Sequence, residues 1–327
     1  MERRTFLGTL ASGLLAAPLA AQARETKVYR VALLLQGSPP PPGSKPGVFP
    51  TALQNLGYVV GRNLVFDVRW AEGKNDRFPS LAVELVALKP DAIVADSTPA
   101  ALAAARATTT VPIVIINVSD PVGSGLVASL AHPGGNVTGA IDFGNDVTTK
   151  QLELLHTAVP KATRVAVLMS DNPVHLSQLA EVQNAAKSIG IAVVPTMVRV
   201  SEEFEGAFAS LTKKKAEALI LFGGAPFSTE AQADKILELA AKAKLPALYP
   251  TRGWVERGGL LSYGTNGSYR WKLTAVYVDK VLKGAKPADL PVQQPTEFEL
   301  VINLKTAKAL GLTIPPSLLQ RADQVIE

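Results

Sequence analysis

The chain contains no cysteine, and this absence removes several classes of protein at once. Without thiols there is no disulfide scaffold, no Cys-ligated zinc or iron–sulfur cluster, no thiolate nucleophile and no lipid-modified N-terminal cysteine. A strong excess of one charge is also lacking, because 33 basic and 28 acidic residues leave a net charge of +5, which argues against a nucleic-acid partner. With 327 residues, 47% of them hydrophobic, the chain has room for two domains with full cores.

Long hydrophobic runs are missing except for a short one at the N-terminus. Arg3 and Arg4 precede an apolar run over residues 5–19, which falls short of the about 20 residues that span a bilayer. The residues 21–23 then offer an A-x-A cleavage site, so we predict a signal peptide over residues 1–23. The arginine pair also resembles the twin-arginine export motif. We expect export to the periplasm by the Sec or twin-arginine route, with no stable membrane insertion of the mature chain.

Short apolar runs rich in β-branched residues alternate with helical patterns along the rest of the chain, which is typical of βαβ units around parallel sheets. We therefore predict an α/β fold of two three-layer lobes, each a doubly wound parallel sheet, joined by a hinge. The predicted strands cover residues 29–35, 64–70, 92–95, 113–117, 137–141, 165–169, 192–198, 218–222, 247–249 and 260–263. The predicted helices cover residues 49–56, 78–88, 99–107, 152–158, 175–189, 204–211 and 229–243.

The two halves of the chain repeat one plan. Residues 53–58 correspond to residues 186–191, each a helix end with a C-cap glycine before a strand. A duplicated open-sheet lobe places two sets of strand carboxyl ends opposite each other, where doubly wound folds bind ligands, so we predict a site in the cleft. The expected lobes are residues 24–142 plus about 264–290, and residues 143–263 plus about 291–327, with hinge crossings at 141–147 and 263–268.

Polar residues at predicted strand ends are the candidate ligand contacts. Thr98 precedes Pro99 at a helix start, so it either caps its own helix or lies beside a ligand carboxylate at the helix N-terminus. Asp120 precedes Pro121 in a turn, where it either caps a following helix or receives a ligand ammonium group. The full set of candidates is Gln36, Ser38, Ser97, Thr98, Ser119, Asp120, Asn172, Ala225, Tyr249, Arg252 and Tyr263.

No sequence motif gives good support for a catalytic, metal or cofactor site. Residues 123–128 formally fit G-x-G-x-x-G/A, but they follow the fourth predicted strand instead of the first βα turn. The three histidines are isolated in the sequence, and Trp70 and Trp271 are interpreted as packing residues. We expect no metal, no cofactor and no enzymatic activity. An exported α/β hydrolase is a less favoured alternative, because the chain has no nucleophile elbow.

Three segments resemble a known family: residues 120–139 (DPVGSGLVASLAHPGGNVTG), residues 258–264 (GGLLSYG) and the closing run over residues 277–316. They are similar to the signature of the ABC transporter substrate-binding proteins that include tryptophan/tyrosine-type periplasmic components. The resemblance implies a type I periplasmic-binding-protein fold that closes on one small molecule and delivers it to ABC permease membrane subunits.

The same resemblance implies a ligand, since characterised relatives often bind an aromatic amino acid. By that likeness Thr98 would lie near the ligand carboxylate and Asp120 near its ammonium group. We expect a monomeric, extracytoplasmic solute-binding component of an importer, with an aromatic or another amino acid as its solute. An exported sensory module that passes its closed state to a membrane receptor is the alternative.

Overall fold

The computed structural model describes residues 27–142 and 146–327. The predicted signal peptide lies outside these residues, as does part of the first predicted hinge crossing. The first stretch of chain alternates strands and helices up to a pair of successive strands. Its elements are β1 (Tyr29–Leu35), α1 (Val48–Asn55), β2 (Leu64–Trp70), α2 (Phe78–Ala87), β3 (Ala92–Asp96), α3 (Thr98–Ala107), β4 (Ile113–Val118) and β5 (Val137–Ile141).

The second stretch repeats the alternation and then adds a C-terminal section. Its elements are α4 (Asp146–Ala158), β6 (Arg164–Met169), α5 (His175–Ser188), β7 (Ala192–Met197), α6 (Phe204–Lys213), β8 (Ala218–Leu221), α7 (Glu230–Lys242), β9 (Ala247–Tyr249), α8 (Arg252–Glu256) and β10 (Leu261–Thr265). The C-terminal elements are α9 (Gly267–Leu282), β11 (Phe298–Asn303), α10 (Leu304–Ala309), α11 (Pro316–Leu319) and β12 (Gln324–Ile326).

The strands form two separate sheets with the same winding. The first sheet is parallel and has the order β2-β1-β3-β4-β5. The second contains β7-β6-β8-β9-β10 in the equivalent order, extended by β11 and β12, and β11 pairs antiparallel with β10. This repeated order confirms the predicted α/β fold of two doubly wound sheets. The two added strands were not predicted.

Helices cover both faces of each sheet, because the central strands are apolar on both faces. In the first sheet, α2 and α3 pack on one face, while α1 and α9 pack on the other through residues such as Leu53 and Val278. In the second sheet, α4 and α5 pack opposite α6 and α7. We call the first sheet with α1–α3 and α9 the first lobe, and the second sheet with the other helices the second lobe.

The chain passes between the lobes at several points. It leaves the first lobe after Asp142 and returns between β10 and α9, where Asn266 caps α9 by accepting hydrogen bonds from two backbone amides at 2.9 and 3.2 Å. Gln293 then pairs with β5, since its carbonyl accepts the Ile141 amide at 3.0 Å. The chain therefore stays beside the first sheet through Gln293 before it enters β11.

Two predicted local features differ from the structure. A helix after Asp120, which was one of the two alternatives for that residue, is absent from the described residues, since Pro121 and the glycines that follow form consecutive turns, with φ of +75° at Gly125. The helix predicted from residue 152 begins earlier, at Asp146. Across residues 27–142 and 146–327, no helix combines the length and apolar character that a membrane crossing requires.

Candidate functional site

A cleft of about 850 Å³ lies between the two lobes, at the carboxyl ends of the strands of both sheets. This size falls within the range of about 300–1,000 Å³ that is usual for small-molecule sites. The first lobe contributes residues after β1, β3, β4 and β5, and the second contributes residues after β6, β8 and β9. Ligands of doubly wound folds bind at such strand ends, near the point where the strand order reverses.

Part of the predicted site lines this cleft. The lining includes Gln36, Ser38, Ser97, Ser119 and Asn172. It does not include the other predicted residues, which are Thr98, Asp120, Ala225, Tyr249, Arg252 and Tyr263. Each of these six has a structural environment that explains its position.

Neither of the two residues predicted to bind a charged group of an amino acid lines the cleft. Thr98 is fully buried as the first residue of α3, and Ser97 is the N-cap in its place, accepting the Ala100 amide at 3.4 Å. The Asp120 carboxylate accepts the Gly123 amide at 2.8 Å and closes the turn after β4. The predicted start of α3 at Pro99 is one residue later than the observed start at Thr98.

The predicted aromatic and cationic groups of the second lobe belong to its core and outer surface. Tyr249 is buried and stacks on Trp254, with ring centroids 5.2 Å apart. Arg252 pairs with Glu299 at 3.1 Å, and Tyr263 packs against the core of the second sheet. Ala225 is buried in the short turn after β8.

A charged cluster of Asp96, Asp142 and Arg270 lies in the cleft wall of the first lobe, and none of the three was predicted. Asp96 ends β3, Asp142 follows β5, and Arg270 lies in the first turns of α9, so only the fold brings them together. Arg270 is 7% exposed and forms an ion pair with Asp142. The cluster contains two carboxyl groups and one guanidinium group.

Burial shifts the pKa values of two members of the charged cluster, Asp96 and Arg270. Desolvation raises the pKa of Asp96, and the hydrogen bond that Asn117 Nδ2 donates to its Oδ1 at 2.6 Å opposes that rise. Desolvation likewise lowers the pKa of Arg270 to about 10, which leaves it charged at neutral pH. Arg270 Nε and Asn117 Oδ1 have no hydrogen-bond partner among the described residues. A ligand in the cleft would meet unsatisfied polar atoms at a buried charged wall.

Two non-glycine residues in the same wall have left-handed backbone conformations. Ser97 has φ of +105° and Asn117 has φ of +57°, and both lie at strand carboxyl ends that line the cleft. Such conformations cost about 1–3 kcal/mol each and are concentrated at ligand sites, where surrounding contacts hold them.

The second lobe contributes a largely neutral wall that includes His175 and Gln178 from α5 and Phe222 after β8. The His175 ring lies 5.4 Å from the Phe222 ring, and burial lowers the pKa of His175 to about 4. His175 is therefore neutral at physiological pH. Its Nδ1 lies 3.1 Å from the carbonyl oxygen of Ser170, which can only accept, so we assign the ring proton to Nδ1.

Ser170 and His175 have the composition of a nucleophile and its base, but their geometry does not support that role. The His175 Nδ1 proton is directed at the Ser170 backbone carbonyl, and the Ser170 Oγ, 3.3 Å from Nδ1, also accepts the Asn172 amide at 3.3 Å. Ser170 is fully buried and does not line the cleft. Its contacts orient the imidazole ring.

Aromatic rings complete the cleft from both lobes. The lining includes Trp70, Trp271, Phe222, Phe227 and Trp254. The first two were interpreted as packing residues, and they do pack with the core on α1, where Trp271 lies 5.5 Å from the Phe49 ring. They also face the cleft, so the interpretation was incomplete.

The lobes contact each other directly along the edge of the cleft, through what we call the rim contacts. Asn75 donates to Asp171 at 2.6 Å, and Ser228 donates to the Gln36 carbonyl at 3.1 Å. Gly73 approaches so closely that a Cβ at this position would lie 2.4 Å from Gln232 Nε2. The rim contacts hold the two strand-end surfaces against each other.

Comparison with known proteins places the chain among substrate-binding proteins. The sequence model described as "ABC transporter substrate binding protein" matches residues 44–326. A protein named "Tyrosine-binding protein" from Clostridioides difficile (strain R20291) is 33% identical over 265 residues, which cover 81% of this chain and 75% of that protein.

Two solved structures with 29% sequence identity differ in how well they superpose. An ABC domain in complex with L-Trp from Streptococcus pneumonia has a TM-score of 0.81 and covers 92% of this chain and 100% of its own. A ligand-free, open structure of a substrate-binding protein with adhesive properties from Clostridium difficile has a TM-score of 0.62. It covers 91% of this chain and 99% of its own. The chain therefore superposes more closely on the L-Trp complex than on this open structure.

The match over residues 44–326 and the 33% identity over most of the chain agree with the two facing doubly wound sheets and the cleft between them. The chain therefore belongs to the ABC transporter substrate-binding protein family.

Proposed function

We propose that the protein is the extracytoplasmic solute-binding component of an ABC importer and that it captures an aromatic amino acid between its lobes. The charged cluster is the observation that carries this proposal. Two carboxyl groups face one guanidinium group, so the buried wall has a surplus carboxyl for which an ammonium group of a solute is a natural partner. Asp96 is the proposed partner of that ammonium group.

The carboxylate of the solute would meet donors in the same wall. Ser97 lines the cleft at the N-terminus of α3, a ten-residue helix whose first amides carry the positive end of the helix dipole. Arg270 adds a guanidinium Nε that has no partner among the described residues. Gln36, Ser38, Ser119 and Asn172 are the further proposed contacts from the predicted set.

Aromatic rings on both lobes favour an aromatic side chain in the remaining space. Trp70 and Trp271 lie on the first lobe, and Phe222, Phe227 and Trp254 lie on the second. Aromatic pairs gain about 0.5–1.5 kcal/mol beyond the burial of their area. The names of two similar proteins, one tyrosine-binding and one solved with L-Trp, support the same class of solute.

Capture would couple to closure because the solute would contact both lobes at once. A ligand shifts the open–closed equilibrium only by its differential affinity for the two states, and contacts to both lobes exist only in the closed one. We place the lobe boundaries near residue 142, between β10 and α9, and after Gln293. The closed form would then be the one presented to the permease after export.

The binding step is tested by a thermal-shift screen with matched compounds. L-Tyrosine and L-tryptophan should stabilise the protein by about 2.7 kcal/mol at a hundredfold excess over Kd. 3-(4-Hydroxyphenyl)propionate, which lacks the ammonium group, and tyramine, which lacks the carboxylate, should stabilise it far less at the same concentration. Absence of any response to amino acids would contradict the proposal. The import step is tested by uptake of the labelled solute in cells with and without the gene.

A further inference from the structure

The second-lobe wall contains two buried polar side chains on one face of α5, which we call the polar pair. His175 begins the helix and Gln178 follows three residues later, a spacing that places them side by side. Both line the cleft, although only 4% of His175 and 2% of Gln178 is exposed. The polar pair therefore forms a confined spot on the wall opposite the charged cluster.

Each member of the polar pair has one hydrogen-bonding atom that is not used within the protein, an acceptor on His175 and a donor on Gln178. The Nδ1 proton of His175 is directed at the Ser170 carbonyl, so Nε2 carries a lone pair, and it has no partner among residues 27–142 and 146–327. Gln178 Nε2 is a donor, and it is buried with no partner among the same residues. One group is an acceptor and its neighbour is a donor.

Leaving such groups empty is costly, and the fold keeps them in place. A buried polar atom without a partner costs about 1–3 kcal/mol, so Gln178 Nε2, which lies on a cleft wall beside His175, points to a ligand group. Gly224 protects the arrangement, because a Cβ there would lie 2.4 Å from Ser170 Oγ and 3.5 Å from His175 Cε1. The Phe222 ring beside His175 supplies an apolar flank.

A hydroxyl group satisfies both atoms at once, since it donates one hydrogen bond and accepts another. An indole N–H can only donate, so it would leave Gln178 Nε2 unpaired. An unsubstituted phenyl ring would leave both atoms unpaired. Resting on the proposed function, we propose that His175 and Gln178 recognise the phenol hydroxyl of the solute and make the site selective for a tyrosine-like side chain.

The test measures the affinities of L-tyrosine, L-phenylalanine and O-methyl-L-tyrosine for the purified protein by titration calorimetry. L-Tyrosine should bind about 10- to 100-fold more tightly than L-phenylalanine, as expected for unpaired buried polar groups. O-Methyl-L-tyrosine, which accepts but cannot donate, should bind no better than L-phenylalanine.

Two variants assign the selectivity to the polar pair. His175→Phe keeps a ring against Phe222, and Gln178→Leu keeps a side chain of similar size. Each should lower the ratio of the L-tyrosine affinity to the L-phenylalanine affinity about tenfold or more, because it removes one of the two groups that pair with the hydroxyl. Gln183→Leu is the matched control, because Gln183 lies on the same helix but does not line the cleft.

The outcomes separate the two proposals. If L-phenylalanine binds but L-tyrosine binds no more tightly, or if both variants retain the wild-type ratio, the polar pair does not read a hydroxyl and this inference is overturned. In that case the proposed function stands. If none of the aromatic amino acids binds the wild-type protein, the proposed solute class fails, and the hydroxyl subsite fails with it.

Discussion

Gly73 offers the most direct test of closure, because the opposite lobe leaves no room for a side chain at this position. A Cβ at Gly73 would lie 2.4 Å from Gln232 Nε2 and 3.0 Å from the Ala225 carbonyl oxygen. Gln232 cannot move freely, since its Oε1 accepts the Thr229 amide at 3.0 Å as part of the capping box of α7. Gly73→Ala should therefore destabilise the closed arrangement and spare the open one.

The expected free-energy cost of Gly73→Ala in the closed arrangement follows from the contacts that the new Cβ would displace. Displacing Gln232 loses one side of the capping box, worth about 1 kcal/mol, and crowding against the Ala225 carbonyl brings the total to about 1–2 kcal/mol. This energy corresponds to a loss of solute affinity of about 5- to 30-fold. The backbone cost of alanine at a positive φ is added in both the open and the closed state.

Gly61→Ala provides the matched control. Gly61 has φ of +82°, close to the +80° of Gly73, but a Cβ there would have no neighbour within 4 Å. The assay is titration calorimetry with L-tyrosine, together with the radius of gyration of the ligand-free protein from small-angle scattering. Gly73→Ala should bind more weakly and be more expanded than Gly61→Ala. Equal affinities and equal radii for the two variants would refute the reasoning.

Three further changes probe the buried charges and the imidazole. Burial lowers the pKa of His175 from 6.5 to about 4, so as the pH falls the unfolded chain binds a proton at this residue before the folded chain does. The free energy of unfolding is therefore highest above pH 6.5 with respect to this group and falls as the pH decreases towards 4. The loss is about 3 kcal/mol, at about 1.4 kcal/mol per pH unit. In urea unfolding measured across this pH range, His175→Phe should remove this part of the pH dependence of the free energy of unfolding. Arg270→Met leaves Asp142 without its cationic partner, although the Thr265 hydroxyl still donates to it at 2.8 Å, and should lower the free energy of unfolding at pH 7 by about 3–5 kcal/mol, measured by the urea midpoint. An unchanged midpoint would contradict the buried ion pair. Asp96→Asn should weaken L-tyrosine binding by about tenfold or more. Asp120→Asn should not change this binding, because the Asp120 carboxylate closes a turn outside the cleft. Equal effects of these two variants would reject the role of Asp96.

The architecture of the first ten strands could be predicted from the sequence because its signals are local. Strands such as β3 are short apolar runs that are buried along their whole length, and periodic helices separate them. β11 escaped prediction because Glu299 interrupts its apolar run and a structureless connection precedes it. The long helix α9 was overlooked although Asn266 provides a clear N-cap signal.

The candidate site was predicted only in part. Gln36, Ser97 and Ser119 lie within two residues of the ends of apolar runs, so the strand-end rule found them. The same rule applies to Asp96, which directly follows the strand predicted over residues 92–95 but was not included among the candidates. Arg270 carried no such signal, since its partner Asp142 lies far away in the chain and belongs to a different element.

The sequence by itself determined two doubly wound sheets, their duplicated winding and a cleft at their strand ends, because apolar periodicity and helix caps act over a few neighbouring residues. Only the tertiary structure decided which side chains face that cleft. α9 returns from the second lobe to the first sheet and brings Arg270 to Asp142, while α5 presents His175 and Gln178 from the other side. Burial then sets the charges of these groups, and burial depends on how distant segments pack.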